Sequence, residues 1–326
     1  MSKRKIFITG ASGCIGHYVL DALLKEPDTS LYLLTRDSKR FLFNTTQYPQ
    51  ITLVEGNMET IESHENLLKE MDGVIHIATY WGGLEPGRLI NLEKTKVLLD
   101  ALNPDKCRKI IYFSTESILG KNDMPSPEAG EFGTGYVKSK YEAYQMIQQH
   151  PLFERINILY PTLVMGGDET HPFSHISSGI LPNIKYLKII RFFDFNAHLH
   201  MAHGKDIATV TAHLLNHDHP GASYILGGPV LTARMVVDAL CKAFHIKPRP
   251  VLTITSKRVL FLAKLFRIKL DAWDRYCIEN PHFNHHVTSP ASFGLVPAFP
   301  TLDHIVQDIK MQHDKGVLPQ SPRYPH

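Results

Sequence analysis

Three glycines spaced three apart, Gly10, Gly13 and Gly16, lie in the segment TGASGCIG. An apolar run, IFIT, precedes them, and after Gly13 the residues Ile15, Val19, Leu20, Leu23 and Leu24 fall on one helical face. A strand that bends on glycines and continues as an amphipathic helix is a strong constraint on what the chain can become. The first glycine permits the tight turn, the second lets backbone approach a pyrophosphate, and the third lets helix and strand pack closely. The free N–H groups opening the helix favour an anion. The bend therefore reads as a dinucleotide cradle, with Ser12, Cys14 and Ile15 beside the glycines; a plain strand-to-helix turn is the competing reading.

The rhythm set by this unit continues. LYLL, ITLVEG, GVIHIA, KIIYFS and INILY are short apolar runs alternating with helical patterns. Continuous apolar strands of this kind suit a parallel sheet buried on both faces. The fold class expected is α/β: a doubly wound, Rossmann-type parallel sheet with a smaller, mostly helical C-terminal substrate lobe. After Pro161 the pattern loosens into a loop, GGDETHPFSH, then recovers in a helix, KDIATVTAHLL, and a strand, SYILGG. Residues 1–167 are assigned to the dinucleotide-binding domain, with 203–228 returning to it. Residues 168–202 and 229–317 are assigned to the substrate lobe, and 318–326 to a disordered tail.

Charge and composition exclude several classes. A net charge of +3 over 326 residues, with no block of like charges, does not suggest a nucleic-acid surface. The four cysteines, Cys14, Cys107, Cys241 and Cys277, are widely spaced and contain no C-x-x-C pair, which suits reduced thiols rather than a disulfide frame. The first apolar run ends in glycines too soon for a secretory signal, and VLFLAKLFRIKL is too short to span a bilayer and carries three cations. A cytoplasmic protein with no membrane span is expected.

The end of the second strand bears on the choice of dinucleotide. An acid there would bond an adenine-ribose 2′-hydroxyl; an arginine would pair with a 2′-phosphate. LYLLTRDSKR places Arg36 at that point, with Lys39 and Arg40 nearby and Asp37 one residue later. Arg36 favours NADP(H) over NAD(H), while Asp37 remains available as a ribose acid.

A second signal is YVKSK, in which Tyr136 and Lys140 share one face of a helix. A phenol is a poor acid–base group at neutral pH unless a neighbouring ammonium lowers its pKa. Just before it, FSTESILG ends an apolar strand in hydroxyls at the edge where α/β ligands bind. Taken alone, a tyrosine and a lysine four apart are also an ordinary solvated helix face.

TGASGCIG, DGVIHIAT, NLEKT, FSTESILG, YVKSK and LYPTLVMGG, in this order, resemble the extended short-chain dehydrogenase/reductase family, also called the NAD-dependent epimerase/dehydratase family. The resemblance covers about the first 167 residues and resumes at KDIA and YILGGPVLT. It implies that Gly10, Gly13 and Gly16 line the pyrophosphate, that Asn57 and Met58 flank the adenine, and that Ala78 and Thr79 lie along the ribose and nicotinamide. It implies a cofactor-binding position for Asn91, the asparagine opening the next helix, and a nicotinamide border at Tyr160 and Pro161. Thr115 takes the position of the active-site serine or threonine, Tyr136 that of the acid–base residue, and Lys140 that of the group binding the nicotinamide ribose and tuning the phenol.

The chain departs from the family pattern in four places. Glu116 and Ser117 follow Thr115, so the Thr-Asp-Glu of sugar-nucleotide dehydratases is incomplete. Tyr160 replaces the usual arginine before proline, and DFNAHLHMAHGKD lacks the arginine that grips a diphosphate. The C-terminal lobe is apolar, with RVLFLAKLFRI and DAWDRY resembling helices that cover hydrophobic substrates, or serving only as core. Tyr80, Trp81 and Glu116 are candidates for the substrate side. No metal is expected: strand alternation splits the histidines of HLHMAH, and HFNHH, around His285, reads as a polar loop near the substrate mouth.

The sequence thus predicts an NADP(H)-dependent carbonyl reductase or alcohol dehydrogenase for a moderately apolar small molecule. The alternatives are a nucleotide-sugar epimerase with bound NAD and, from another class, a non-catalytic dinucleotide sensor. A homodimer is compatible with apolar residues Leu89, Leu92, Val97, Leu98, Tyr141, Ala143 and Tyr144, which could equally face their own sheet.

Overall fold

The computed structural model describes residues 3–247 and 249–317; the tail expected over 318–326 lies outside them. The chain opens with β1 (Arg4–Thr9), α1 (Cys14–Leu23), β2 (Thr29–Thr35), β3 (Ile51–Glu55) and β4 (Gly73–His76). It continues with α2 (Lys94–Asp100), β5 (Lys109–Phe113), α3 (Gly135–Gln148), β6 (Ile156–Pro161), α4 (Gly204–Asn216) and β7 (Ser223–Leu226). The seven strands form one parallel sheet in the order β7-β6-β5-β4-β1-β2-β3. In register, Ile8 lies between Leu33 and Ile75.

Alternate residues of each strand serve opposite faces. Phe7, Val74, Ile110 and Ile158 pack under α2 and α3, against Leu98, Leu99, Ala143 and Ile147. Ile6, Ile8, Ile75 and Ile111 pack under α1 and α4, against Leu20, Leu23, Val210 and Leu214. Leu20 and Leu23 are fully buried, each worth roughly 1.5–3 kcal/mol of transfer free energy. With both faces covered, the central strands β1, β4, β5 and β6 are buried and mostly apolar over their paired residues, whereas the edge strand β3 leaves Thr52, Leu53 and Glu55 exposed. Strand order reverses between β1 and β4, and the carboxyl ends of these two strands frame a crevice of the kind in which α/β sheets bind ligands.

The remainder builds the smaller lobe. Its helices are α5 (Ala233–Ala243), α6 (Ser256–Leu265), α7 (Ala272–Glu279) and α8 (Leu302–Asp314). A separate core holds Leu181, Leu187, Met201, Leu240, Ile305 and Ile309. Of the residues offered for a dimer seam, Leu98, Ala143 and Tyr144 belong to the core beneath α2 and α3, and Leu89 is exposed. No helix among the described residues is long and apolar enough to cross a membrane.

Candidate active site at the carboxyl edge of the sheet

The glycine bend separates into three roles. Gly10 has φ +73°, and a Cβ there would sit 2.6 Å from the Ala78 nitrogen, so it serves both the turn and the close approach of β1 to the end of β4. A Cβ on Gly16 would lie 2.3 Å from the Gly10 oxygen and 2.6 Å from Ala11 backbone, so Gly16 serves the packing of α1 onto the bend. Gly13 differs: it caps α1 with φ −91°, and a Cβ would meet only the Gly10 oxygen, at 3.4 Å. The fold does not require glycine at 13, whereas an anion brought against the start of α1 does. The first turn of α1 carries no acid, so its N–H groups are uncompensated. Burial, with the charge of Asp168 second, pushes the Cys14 thiol up to about 12, leaving it protonated.

Below the bend, the Ala78 N–H donates to Thr9 Oγ1 at 3.2 Å. Thr9 Oγ1 also meets His76 Nδ1 at 2.6 Å, and His76 Nε2 meets Thr95 Oγ1 at 2.9 Å. Burial, then the charge of Lys140, lowers the His76 pKa to about 3, so the imidazole is neutral. Asn91 lies in a π-helical stretch, Arg88–Glu93. Its Oδ1 accepts from the Tyr80 N–H at 2.8 Å and the Thr79 hydroxyl at 3.0 Å, and its amide donates to the Tyr80 oxygen and to Ser139 Oγ. Asn91 thereby stitches the Thr79–Tyr80 loop to α3, one residue before Lys140.

Thr134 caps α3 by accepting the Val137 N–H, which sets the first turn that presents Tyr136. Beyond β5, Thr115 caps a 3-10 turn, Glu116–Ile118, by accepting the Ser117 N–H. Thr115 lies on the phenol side of Tyr136, where its hydroxyl opposes the upward push of burial on the phenol pKa, while its Oγ1 donates to Ser117 Oγ at 3.3 Å. Trp81 stacks on the Tyr136 ring at 4.0 Å and 13°. Lys140, 1% exposed, donates to the Phe113 oxygen at 2.8 Å and lies 3.5 Å from the Tyr112 hydroxyl. Burial draws its pKa down to about 7. The ammonium thus meets Tyr112 and the end of β5 rather than the Tyr136 phenol.

One group here is buried more deeply than the sequence reading of a polar loop near the substrate mouth implies. HFNHH was expected as a polar loop, yet the His285 side chain is 2% exposed. Its Nδ1 is 2.7 Å from Asp123 Oδ1, and its Nε2 faces Glu116 at 3.5 Å. The His285 N–H donates to His200 Nε2 at 3.0 Å. Burial raises the Glu116 pKa to about 7. The C-terminal lobe therefore reaches back to the residue after Thr115, a contact across 169 positions that no local pattern announces.

Other expected site residues are placed as follows. Arg36 is exposed past the end of β2, while the Asp37 carboxylate accepts the Lys39 N–H at 2.8 Å. Asn57 caps the turn after β3 by accepting the Glu59 and Thr60 N–H groups. Met58 and the Tyr160 ring lie in the sheet core, and Pro161 ends β6. His203 stacks on Phe299 at 3.6 Å, and His198 packs on His282. Among the described residues no group of three or more His, Cys, Asp or Glu is placed to hold a metal ion.

Residues 6–227 match the model of a protein family described as the NAD dependent epimerase/dehydratase family. CDP-abequose synthase from Salmonella typhimurium is 30% identical over 125 residues, which are 37% of this chain and 41% of that protein; the match thus spans about two fifths of the relative's length. Among solved structures, gox2253 superposes with a TM-score of 0.74 at 20% identity, covering 98% of this chain and 100% of the other. The dTDP-glucose 4,6-dehydratase from Bacillus anthracis, solved in complex with NAD, gives 0.67 at 15% identity, covering 98% and 99%.

Proposed function

The chain belongs to the NAD dependent epimerase/dehydratase family, and from that premise we propose that it catalyses reversible hydride transfer at a carbon of a nucleotide-linked sugar. The observation that carries this reading is the placement of Thr115 after β5 beside Tyr136 in the first turn of α3, with Lys140 one turn further on, at the sheet edge that also bears the glycine bend. The residues present fit a dinucleotide: Gly13 keeps open the space a Cβ would fill, and the first turn of α1 offers uncompensated N–H groups. When bound, the nicotinamide supplies an acceptor or donor of hydride.

The chain's own residues handle the proton. Tyr136 gives or takes it at the sugar oxygen, and Thr115 hydrogen-bonds that oxygen. Lys140, its pKa drawn down by burial to about 7, fixes the end of β5 behind the Tyr136 turn by donating to the Phe113 oxygen. Trp81, stacked on Tyr136, excludes water from the phenol. Glu116, backed by His285, stands next in the chain to Thr115 as a second proton donor or acceptor.

Nucleotide-linked sugars replace the expected apolar carbonyl substrate because the curated relative is named for a CDP-sugar and a solved neighbour for a dTDP-sugar. On the dinucleotide, a solved neighbour holds NAD, while Arg36 at the end of β2 supports a 2′-phosphate; we assign NADP(H) on that arginine. The test is direct: the purified protein, with NAD(P)(H), is offered CDP-, UDP- and dTDP-linked hexoses and 4-ketohexoses, with product read by mass spectrometry. Turnover that Tyr136→Phe abolishes is expected. Turnover of apolar ketones, with none of the nucleotide sugars, would restore the reductase reading.

A further inference from the structure

We propose that the C-terminal lobe carries a docking face for the surface of an anionic lipid bilayer, formed by α6 and its flanking chain from Val251 to Leu270. In this stretch only Ile254 and Ala263 are buried. Phe261, Leu265, Phe266 and Ile268 are 65%, 61%, 69% and 59% exposed, and Leu252 is 57% exposed. Single exposed apolar side chains are ordinary on protein surfaces, but a contiguous group with two phenylalanines marks an interaction site.

Charge selects the occupant. The same stretch holds Lys257, Arg258, Lys264, Arg267 and Lys269 and no Asp or Glu. Against +3 for the whole chain, these five cations leave the remaining residues at −2. Among the described residues none of the five is in an ion pair with a carboxylate, and Arg258 donates to the Thr253 oxygen instead. A second copy docked here about a two-fold axis would set five cations against five. A bilayer with anionic headgroups satisfies both features: apolar side chains enter the acyl boundary, while lysine and arginine stems extend to the phosphates. The face is too short to span a membrane and is built to lie on one.

The full chain is sedimented with vesicles of phosphatidylcholine alone and of phosphatidylcholine containing one third phosphatidylglycerol. Two variants accompany it, Phe261→Ser/Phe266→Ser and Lys257→Glu/Lys264→Glu, with a dinucleotide titration showing that each is folded. Capture by the anionic vesicles only, released by salt, is expected. Each cation near an anionic surface is worth about five-fold in partition, so the lysine reversal should lose at least ~25-fold and the phenylalanine variant should lose binding as well. Wild-type protein that stays in solution, or binds neutral vesicles equally well, overturns the proposal. A lipid-free dimer dispersed by the phenylalanine variant assigns the face to a second copy and overturns it too. Binding of polyglutamate without vesicle binding does the same in favour of an acidic protein.

Discussion

Gly13 and Gly16 stand three residues apart in one bend, yet replacing each by alanine should have opposite consequences. At Gly13 the backbone, φ −91° and ψ 179°, is open to any residue, and the new Cβ would touch only the Gly10 oxygen at 3.4 Å. Alanine caps a helix less well than glycine, by roughly 0.5–1 kcal/mol, and the stiffer unfolded chain returns about 0.4–1 kcal/mol. Stability should stay within about 1 kcal/mol of wild type. Dinucleotide binding should not survive, because the methyl group occupies the approach to the N–H groups opening α1. Losing one charge-assisted hydrogen bond costs roughly 1.5–3 kcal/mol, about ten- to a hundred-fold in Kd. At Gly16 the added carbon would sit 2.3 Å from the Gly10 oxygen and 2.6 Å from Ala11 backbone. Overpacking against backbone costs about 1–3 kcal/mol or more, so Gly16→Ala should lower the urea midpoint before any ligand is added. Urea unfolding and NAD(P)H fluorescence titration of both variants measure the two quantities separately. A Gly13→Ala protein that binds dinucleotide like wild type, or that unfolds as early as Gly16→Ala, would refute the assignment.

Tyr136→Phe should cut turnover by at least about 10²–10⁴-fold while leaving dinucleotide Kd unchanged; Lys140→Ala should weaken both, as read by single-turnover kinetics beside the titration. Arg36→Ala should shrink the preference for NADPH over NADH by about ten- to a hundred-fold, the worth of one arginine–phosphate contact; equal titrations of the two nucleotides in wild type would remove the basis for the NADP(H) assignment. Burial lowers the pKa of His76 to about 3 and of His17 to about 4, so the fold holds both neutral. Their contribution to stability is complete above the unfolded value near 6.5 and is lost as pH falls toward the folded values. Between pH 7 and 5 each should cost about 2 kcal/mol in urea unfolding, and His76→Asn should flatten its share of that acid limb.

The sheet was legible because strands covered on both faces are largely apolar, and six apolar-rich runs alternate with helical periods before residue 161. That Tyr136 and Lys140 share one helix face was legible from their spacing of four; that the Lys140 ammonium turns to Phe113 and Tyr112 instead of the phenol was not. Roles that depend on what a side chain packs against were not legible. Met58 and Tyr160 sit at family positions beside a dinucleotide, but their side chains fill the core between the sheet and its helices. Asn91 looks in sequence like a residue waiting for a ligand, and in the fold its amide is engaged by Thr79, Tyr80 and Ser139.

The group around His285 shows where local reading ends. Three histidines in HFNHH resemble a solvated loop, since a histidine in a polar run is ordinarily wet. What buries His285 is Asp123, held at φ 61° in a turn of the other domain, together with the upward-shifted carboxyl of Glu116. Burial raises the Glu116 carboxyl to about 7, which lightens the cost of setting it against the imidazole, while the partly exposed Asp123 carboxylate holds the other ring nitrogen at 2.7 Å. In sequence, the incomplete Thr-Asp-Glu motif lacks the second acid beside Glu116, which argues against a dehydratase. In space, the group that follows Glu116 is His285, supplied from the other lobe. Its test is His285→Gln, which keeps a hydrogen-bonding side chain of similar reach but cannot titrate. If His285 and Glu116 share a proton during turnover, the variant should lose the neutral limb of the pH–rate profile while retaining dinucleotide affinity and urea midpoint. If they only tie the lobe to the sheet, the midpoint should fall and the profile should keep its shape.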